Sequence, residues 1–162
     1  MVRKLANKSR YLFQRKKIQL LSKAGLGDAL MHNREGKRIL IYHGIDQKGR
    51  KDLNSRFISK ALLEKQLAYF AENFNCLSVA EYFEKGIIKN GKLSIALTFD
   101  DGYLNNYTHV LPLLEKYNIP ASFYVTGLHD TTEGILWADL VDISNLFLKG
   151  ELTILGSTFK KI

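Results

Sequence analysis

The stretch Ser94 to Gly102, reading SIALTFDDG, constrains this chain more than any other. Ile95 to Phe99 are apolar or β-favouring and read as a short buried strand. That strand delivers two adjacent carboxylates, Asp100 and Asp101, to its C-terminal end. Neighbouring carboxylates repel each other and resist losing water, so the pair is most simply explained by a bound cation or by acid/base chemistry. Gly102 supplies the backbone freedom for a sharp exit from the strand. An isolated Asp-Asp-Gly reads more readily as a solvated turn. The flanking chain has to decide between these readings.

That flanking chain alternates strand and helix signals. Arg38 onward, ILIYHGID is a β-rich run ending in His43 and Gly44, and a histidine there sits outside the carboxyl end of a strand, where α/β proteins place functional side chains. Asp46 to Arg56 reads as a polar loop. Ser59 is placed to cap a helix running to Asn73, with Leu63, Leu67, Phe70 and Phe74 on its core face. Cys76 to Val79 reads as a short strand, and Ala80 to Lys85 as a short helix closed by Gly86. After the SIALTFDD strand the pattern predicts a helix over Thr108 to Tyr117, with Pro112 tolerated near its first turn. A strand follows over Ala121 to Thr126, then a helix over Leu136 to Leu148 whose Leu136, Leu140, Ile143 and Phe147 share a face, and a strand over Glu151 to Leu155. The class is α/β with mostly parallel strands.

Charge separates a second segment from this domain. The formal net charge is +8, which invites a nucleic-acid or membrane reading until it is located. Residues 1 to 23 contain Arg3, Lys4, Lys8, Arg10, Arg15, Lys16, Lys17 and Lys23 and no acid; removing these 8 from 24 basic residues leaves 16, against 16 acidic ones. The body of the chain is therefore neutral. With Leu5, Leu12, Phe13, Leu20 and Leu21 among the charges, residues 1–37 read as a basic amphipathic helix and linker, ahead of a domain over 38–162. Such a helix suits docking on the domain or peripheral contact with an anionic membrane. No nucleic-acid partner is expected, because no recognised module follows. There is no secretory signal pattern and no apolar run of membrane-spanning length, which points to a cytoplasmic protein or one held at the inner membrane face. The lone Cys76 excludes an internal disulfide and reads as a core residue.

ILIYHGI, TFDDGY and IPASFYVTG, in this order and spacing, resemble the N-terminal half of the polysaccharide deacetylase family, the NodB homology domain, over roughly Arg38 to Gly127. The resemblance implies the N-terminal part of a distorted (β/α) barrel of the NodB type, preceded here by the basic helix. It implies a divalent metal, usually zinc, and a hydrolase that removes acetyl groups from an N-acetylated glycan. By the same resemblance Asp100 is the general base, Asp101 is a metal ligand, and His43 lies on the substrate side of the pocket. One metal can both activate water and stabilise the oxyanion of a resistant amide.

The family completes its metal site with a His-Ser/Thr-x-x-His pair downstream of the Asp-Asp-Gly block. The histidines here are 32, 43, 109 and 129, with no such pair, so the metal site is incomplete and truncation at the C-terminus is expected. His109 reads as structural, and His129 as a loop histidine with a weak claim as a ligand. LWADLVDISNLFL resembles a Trp-containing helical insertion that some family members place before the histidine motif. Two function classes stand: a metal-dependent deacetylase, or a non-catalytic sugar-binding relative or inactive fragment. A glycosidase is the poorer fit, since its two carboxyls must stand about 5 Å or more apart across the substrate.

Overall fold

The computed structural model describes Lys16 and residues 35–51, 53–127, 134–147, 150–154 and 157–160. Apart from Lys16, the basic segment 1–23 lies outside these residues, as do His32 and His129. No helix among the described residues is long and apolar enough to cross a membrane.

The fold is built around β5 (Ser94–Phe99), in which every residue is buried. A strand covered on both faces has no polar side to present, which is why Ile95 to Phe99 read as a nearly continuous run of apolar or β-favouring residues. β1 (Lys37–Tyr42) lies parallel to it over its full length, from Lys37 opposite Ser94 to Tyr42 opposite Phe99. The other edge of β5 is shared end to end. β4 (Asn75–Leu77) pairs with its first half and β6 (Ala121–Phe123) with its second, both parallel.

One face of this sheet carries the core. Ile95, Leu97 and Phe99 pack with Leu63 and Leu67 of α1 (Lys60–Asn73) and with Val110, Leu113, Leu114 and Ile119. Phe99 is stacked between its strand neighbours, with ring centroids 5.2 Å from Tyr42 and 5.3 Å from Phe123. Stacked aromatics add to the area term and hold the three strand ends level. Phe70 and Phe74 are half-buried against the cluster and meet edge to face. Cys76 is also half-buried there; its thiol points at the carbonyl oxygen of Phe70, and burial pushes its pKa up.

Local chemistry sets the helix ends. The Ser59 hydroxyl accepts from Leu62 N at 3.2 Å and starts α1 as its spacing predicts. α2 (Val79–Glu84) starts one residue before the expected Ala80, because Ser78 and Glu81 form a reciprocal capping box. It ends at Lys85 in an extended conformation, so Gly86 is not a left-handed cap. The helix predicted over Thr108 to Tyr117 begins earlier, as a π-helical turn (Asn106–Val110) leading into α3 (Leu111–Tyr117). There the Leu111 N–H reaches back to Asn106 O, and Pro112 beside it has no N–H to give the usual bond.

Other boundaries shift as well. β4 is Asn75–Leu77 rather than Cys76 to Val79, and β6 stops at Phe123 rather than Thr126. The polar run after Asp46 is flanked by a short parallel pairing of β2 (Ile45–Asp46) with β3 (Ile58–Ser59). α4 (Trp137–Phe147) matches the expected helix, but Leu140 and Phe147 of its anticipated core face are exposed, at 50% and 67%. β7 (Glu151–Ile154) pairs antiparallel with β8 (Ser157–Lys160), a strand that the sequence pattern did not suggest.

Burial pushes the Tyr42 phenol up to about 12, and its hydroxyl donates to Gln66 Oε1 at 3.1 Å. An unfolded tyrosine ionises near its ordinary 10.0. This stabilisation is therefore complete below the unfolded value and is lost as pH rises from there towards the folded one. The melting temperature should fall across that alkaline window, and Tyr42→Phe should flatten part of the fall. An identical slope in the variant would assign the loss to other groups.

Candidate active site

Parallel pairing in register brings two chain exits together. Because Tyr42 lies opposite Phe99, the next residues, His43 and Asp100, leave the sheet at the same end. The ladder continues for one more bond, from Asp100 N to Tyr42 O at 2.9 Å, while Tyr124 N donates to Phe99 O from the β6 side. Asp100 therefore stands at the carboxyl end of the central strand with a neighbour on each flank. That is where open parallel sheets place their ligands.

The chain then turns through two successive left-handed residues, Asp101 at φ 74° and Gly102 at φ 68°. Aspartate tolerates this region better than most side chains, yet a non-glycine residue there stores strain of the kind that gathers at functional sites. At Gly102 a Cβ would also crowd Val125, at 3.0 to 3.2 Å.

Asp101 faces two basic groups. Arg56 Nη1 donates to its Oδ2 at 3.0 Å, and His43 Nε2 lies 4.0 Å from the same oxygen. The guanidinium does not belong to Asp101 alone. Its Nη2 donates to Asp139 Oδ1 of α4 and, at 3.1 Å, to the Tyr103 hydroxyl. Asn54, itself buried, donates to Asp139 Oδ1 at 2.7 Å, and the Tyr103 hydroxyl reaches both carboxylate oxygens of Asp139 at 2.8 Å. Burial and the bond to Asp139 push the Tyr103 phenol well above its ordinary range, which keeps it a neutral donor. Ser55 adds a second tie to α4, giving its N–H and hydroxyl to Asp142 Oδ2 at 3.0 and 3.1 Å. Three segments distant in sequence are thereby joined: the loop Asn54–Arg56, the Asp-Asp-Gly turn, and the first turns of α4.

Of the residues singled out in the sequence, Asp100, Asp101 and His43 do come to one sheet end, and His43 is near Asp101. His109 is half-buried in the π-helical turn. Arg56, Asn54, Tyr103 and Asp139 were not anticipated. Tyr103 stood next to the motif and Asp139 inside LWADL, but Arg56 and Asn54 lay in an ordinary polar loop with no local signal.

The donor set falls short of zinc. A catalytic zinc takes three protein ligands plus water. Among the described residues no group of three histidine, cysteine, aspartate or glutamate side chains converges. Asp101 and His43 offer two donors, and the Asp101 oxygen that faces His43 already holds a guanidinium. The described residues do not make a zinc site by themselves.

Comparison with known proteins bears on the same stretch. The family model described as polysaccharide deacetylase matches residues 88–144. A bifunctional xylanase/deacetylase of Pseudobutyrivibrio xylanivorans is 54% identical over 39 residues, 24% of this chain and 6% of that protein. A poly-beta-1,6-N-acetyl-D-glucosamine N-deacetylase of Escherichia coli K12 is 30% identical over 93 residues, 54% of this chain and 13% of its own length. The chain thus spans only a small part of these curated relatives. Among solved structures, a de-N-acetylase from Aggregatibacter actinomycetemcomitans superposes with a TM-score of 0.50 at 21% identity, over 77% of this chain and 45% of that one. That likeness is one of fold.

Gly44 shows how closely the loop is packed over the site. A Cβ there would fall 2.0 Å from the Phe57 ring, which in turn meets Tyr103 edge to face at 5.0 Å. Gly44→Ala should push Phe57 off Tyr103 and lower stability by about 1–3 kcal/mol in urea denaturation, the usual cost of overpacking. A variant as stable as the parent would mean that Phe57 is free to move.

Proposed function

Because this chain carries part of a NodB-type polysaccharide deacetylase domain, we propose that it serves the hydrolytic removal of N-acetyl groups from a glycan. The observation that carries the proposal is the placement of Asp100 at the carboxyl end of the buried central strand, next to Asp101 with its bound guanidinium and nearby imidazole.

In this reading Asp100 takes a proton from the attacking water as oxygen adds to the acetamide carbonyl. The C–N bond then breaks as Asp100 returns that proton to the sugar nitrogen, which departs as an amine, and the acetic acid formed ionises to acetate. Asp101 does not compete for the role of base, since its charge is engaged by Arg56. His43 lies at the same sheet end as Asp100 and would contact the sugar in this reading. Asp101 is the carboxylate assigned to a cation, and among the described residues it is paired with Arg56 and lies near His43.

A non-catalytic glycan-binding role is the second reading. It draws support from the shortage of metal-ligating groups among the described residues.

Acetate release from N-acetylglucosamine oligomers, measured on the protein purified from its own cells, tests the choice. Asp100→Asn should reduce release by about 10²- to 10⁴-fold while leaving the circular dichroism spectrum intact. Full activity in that variant would remove Asp100 as base. Glycan affinity that survives chelation, with no acetate ever released by the parent protein, would decide for binding alone.

A further inference from the structure

We infer that the apolar cavity beside the Asp-Asp-Gly turn holds a second N-acetylated unit of the glycan, whose acetamido group pairs with Asn106. The inference rests on the reading that this chain engages an N-acetylated glycan. It narrows that class to glycans with acetamido groups on more than one unit.

The cavity has a volume of about 360 Å³, in the range of small-ligand sites. Leu104, Tyr107, Leu111, Phe123 and Val125 give it almost wholly apolar walls. Leu104, Tyr107 and Val125 are 77%, 70% and 75% exposed, a cluster of apolar surface of the kind that marks a binding site. Gly102 and Tyr103, which directly follow the two carboxylates, also line it, and Phe123 is stacked on Phe99, the residue before Asp100. Asp100 itself is not in the lining. An occupant therefore neighbours the reacting unit rather than being it.

Asn106 lines the same cavity and is only 3% exposed. Neither its Nδ2 nor its Oδ1 has a hydrogen-bond partner among the described residues. Buried amides are nearly always paired, because an unmade bond forfeits what water would have supplied. The Asn106 backbone, by contrast, is engaged at both ends, its N–H donating to Tyr103 O at 2.9 Å and its carbonyl accepting from Leu111 N. The π-helical turn thus fixes the backbone, and a rotation of the side chain is the movement that presents the amide to a ligand.

The chemistry of the walls selects the occupant. A primary amide needs both an acceptor and a donor. An N-acetylated sugar unit supplies the two together: its acetamido carbonyl accepts from Nδ2, and a ring hydroxyl donates to Oδ1. The acetyl methyl and the C–H face of the ring suit the apolar walls. A plain hydrocarbon would leave the amide unpaired. A deacetylated unit would bring an ammonium, and no charged side chain is among the described residues lining the cavity to answer it.

The test is the affinity of the full chain for the N-acetylglucosamine pentamer, read by isothermal titration with Asp100→Asn present to suppress turnover. Adding Asn106→Leu should weaken binding at least about tenfold, the loss of a buried hydrogen-bonded pair. The same substitution should hold or raise the melting temperature, because it replaces an unpaired amide with an apolar side chain of similar size. A merely structural asparagine predicts the reverse on both readouts, a lower melting temperature and an unchanged affinity. The fully deacetylated pentamer should bind at least about tenfold more weakly than the acetylated one, and Asn106→Leu should not alter its affinity. Equal affinity for the acetylated pentamer with and without Asn106→Leu, including no binding by either, overturns the inference. If Asn106→Leu does not fold, Tyr107→Ala at an exposed wall position takes its place, and unchanged affinity there overturns the inference instead. Acetate release by the parent is read separately. Release combined with an affinity indifferent to Asn106 sinks only this inference, whereas Asn106-dependent affinity without release sinks only the proposed hydrolysis.

Discussion

The structure depends on β5 being buried from end to end while its neighbours run parallel and in register. Ser94 to Phe99 have no exposed face, so every side chain needs a partner and every backbone group a strand. β1 provides one full edge, and β4 with β6 divide the other. The stack of Tyr42, Phe99 and Phe123 fixes where the three strands stop. Anything attached to those ends is positioned with the precision of a packed core.

The charged groups exploit that placement. A pair of carboxylates at a strand end in a part-buried setting is costly unless its charge is answered. Here the answer to Asp101 comes from Arg56, which also answers Asp139. Neutral donors complete the arrangement, with Asn54 and Tyr103 both directed at Asp139. The network joins a loop, a strained turn and a helix that are distant in sequence. Its members are more coupled than a count of ion pairs would suggest, since losing one leaves a part-buried charge on another.

Much of this was legible from short-range signals. A run of five apolar or β-favouring residues, Ile95 to Phe99, marks a buried strand, and β5 adds only Ser94 to it. Apolar spacing and Ser59 placed α1 correctly, because its cap and core face are properties of nearby residues. Boundaries slipped where a local pattern had more than one solution. Ser78 rather than the apolar periodicity sets the start of α2, and the missing N–H of Pro112 makes the preceding turn wide rather than α-helical. β2, β3 and β8 escaped notice because strands of two or four residues with mixed side chains show no readable alternation. The face of α4 was legible as apolar, but apolar spacing states what a helix can bury and not whether a neighbour covers it.

By itself the sequence determined the central strand, the two carboxylates at its end, the histidine closing the first strand, and the resemblance those blocks carry. These are contiguous features, and backbone alternation with turn chemistry suffices to place them. Only the tertiary structure decided which charges meet. Arg56 lies 45 residues from Asp101 and 83 from Asp139 along the chain. Nothing in its own neighbourhood distinguishes it from any solvated arginine in a polar loop. Its role arises because parallel register brings the strand ends together and loop and helix close over them. Long-range electrostatic pairing is a product of folded geometry, and no local pattern encodes it.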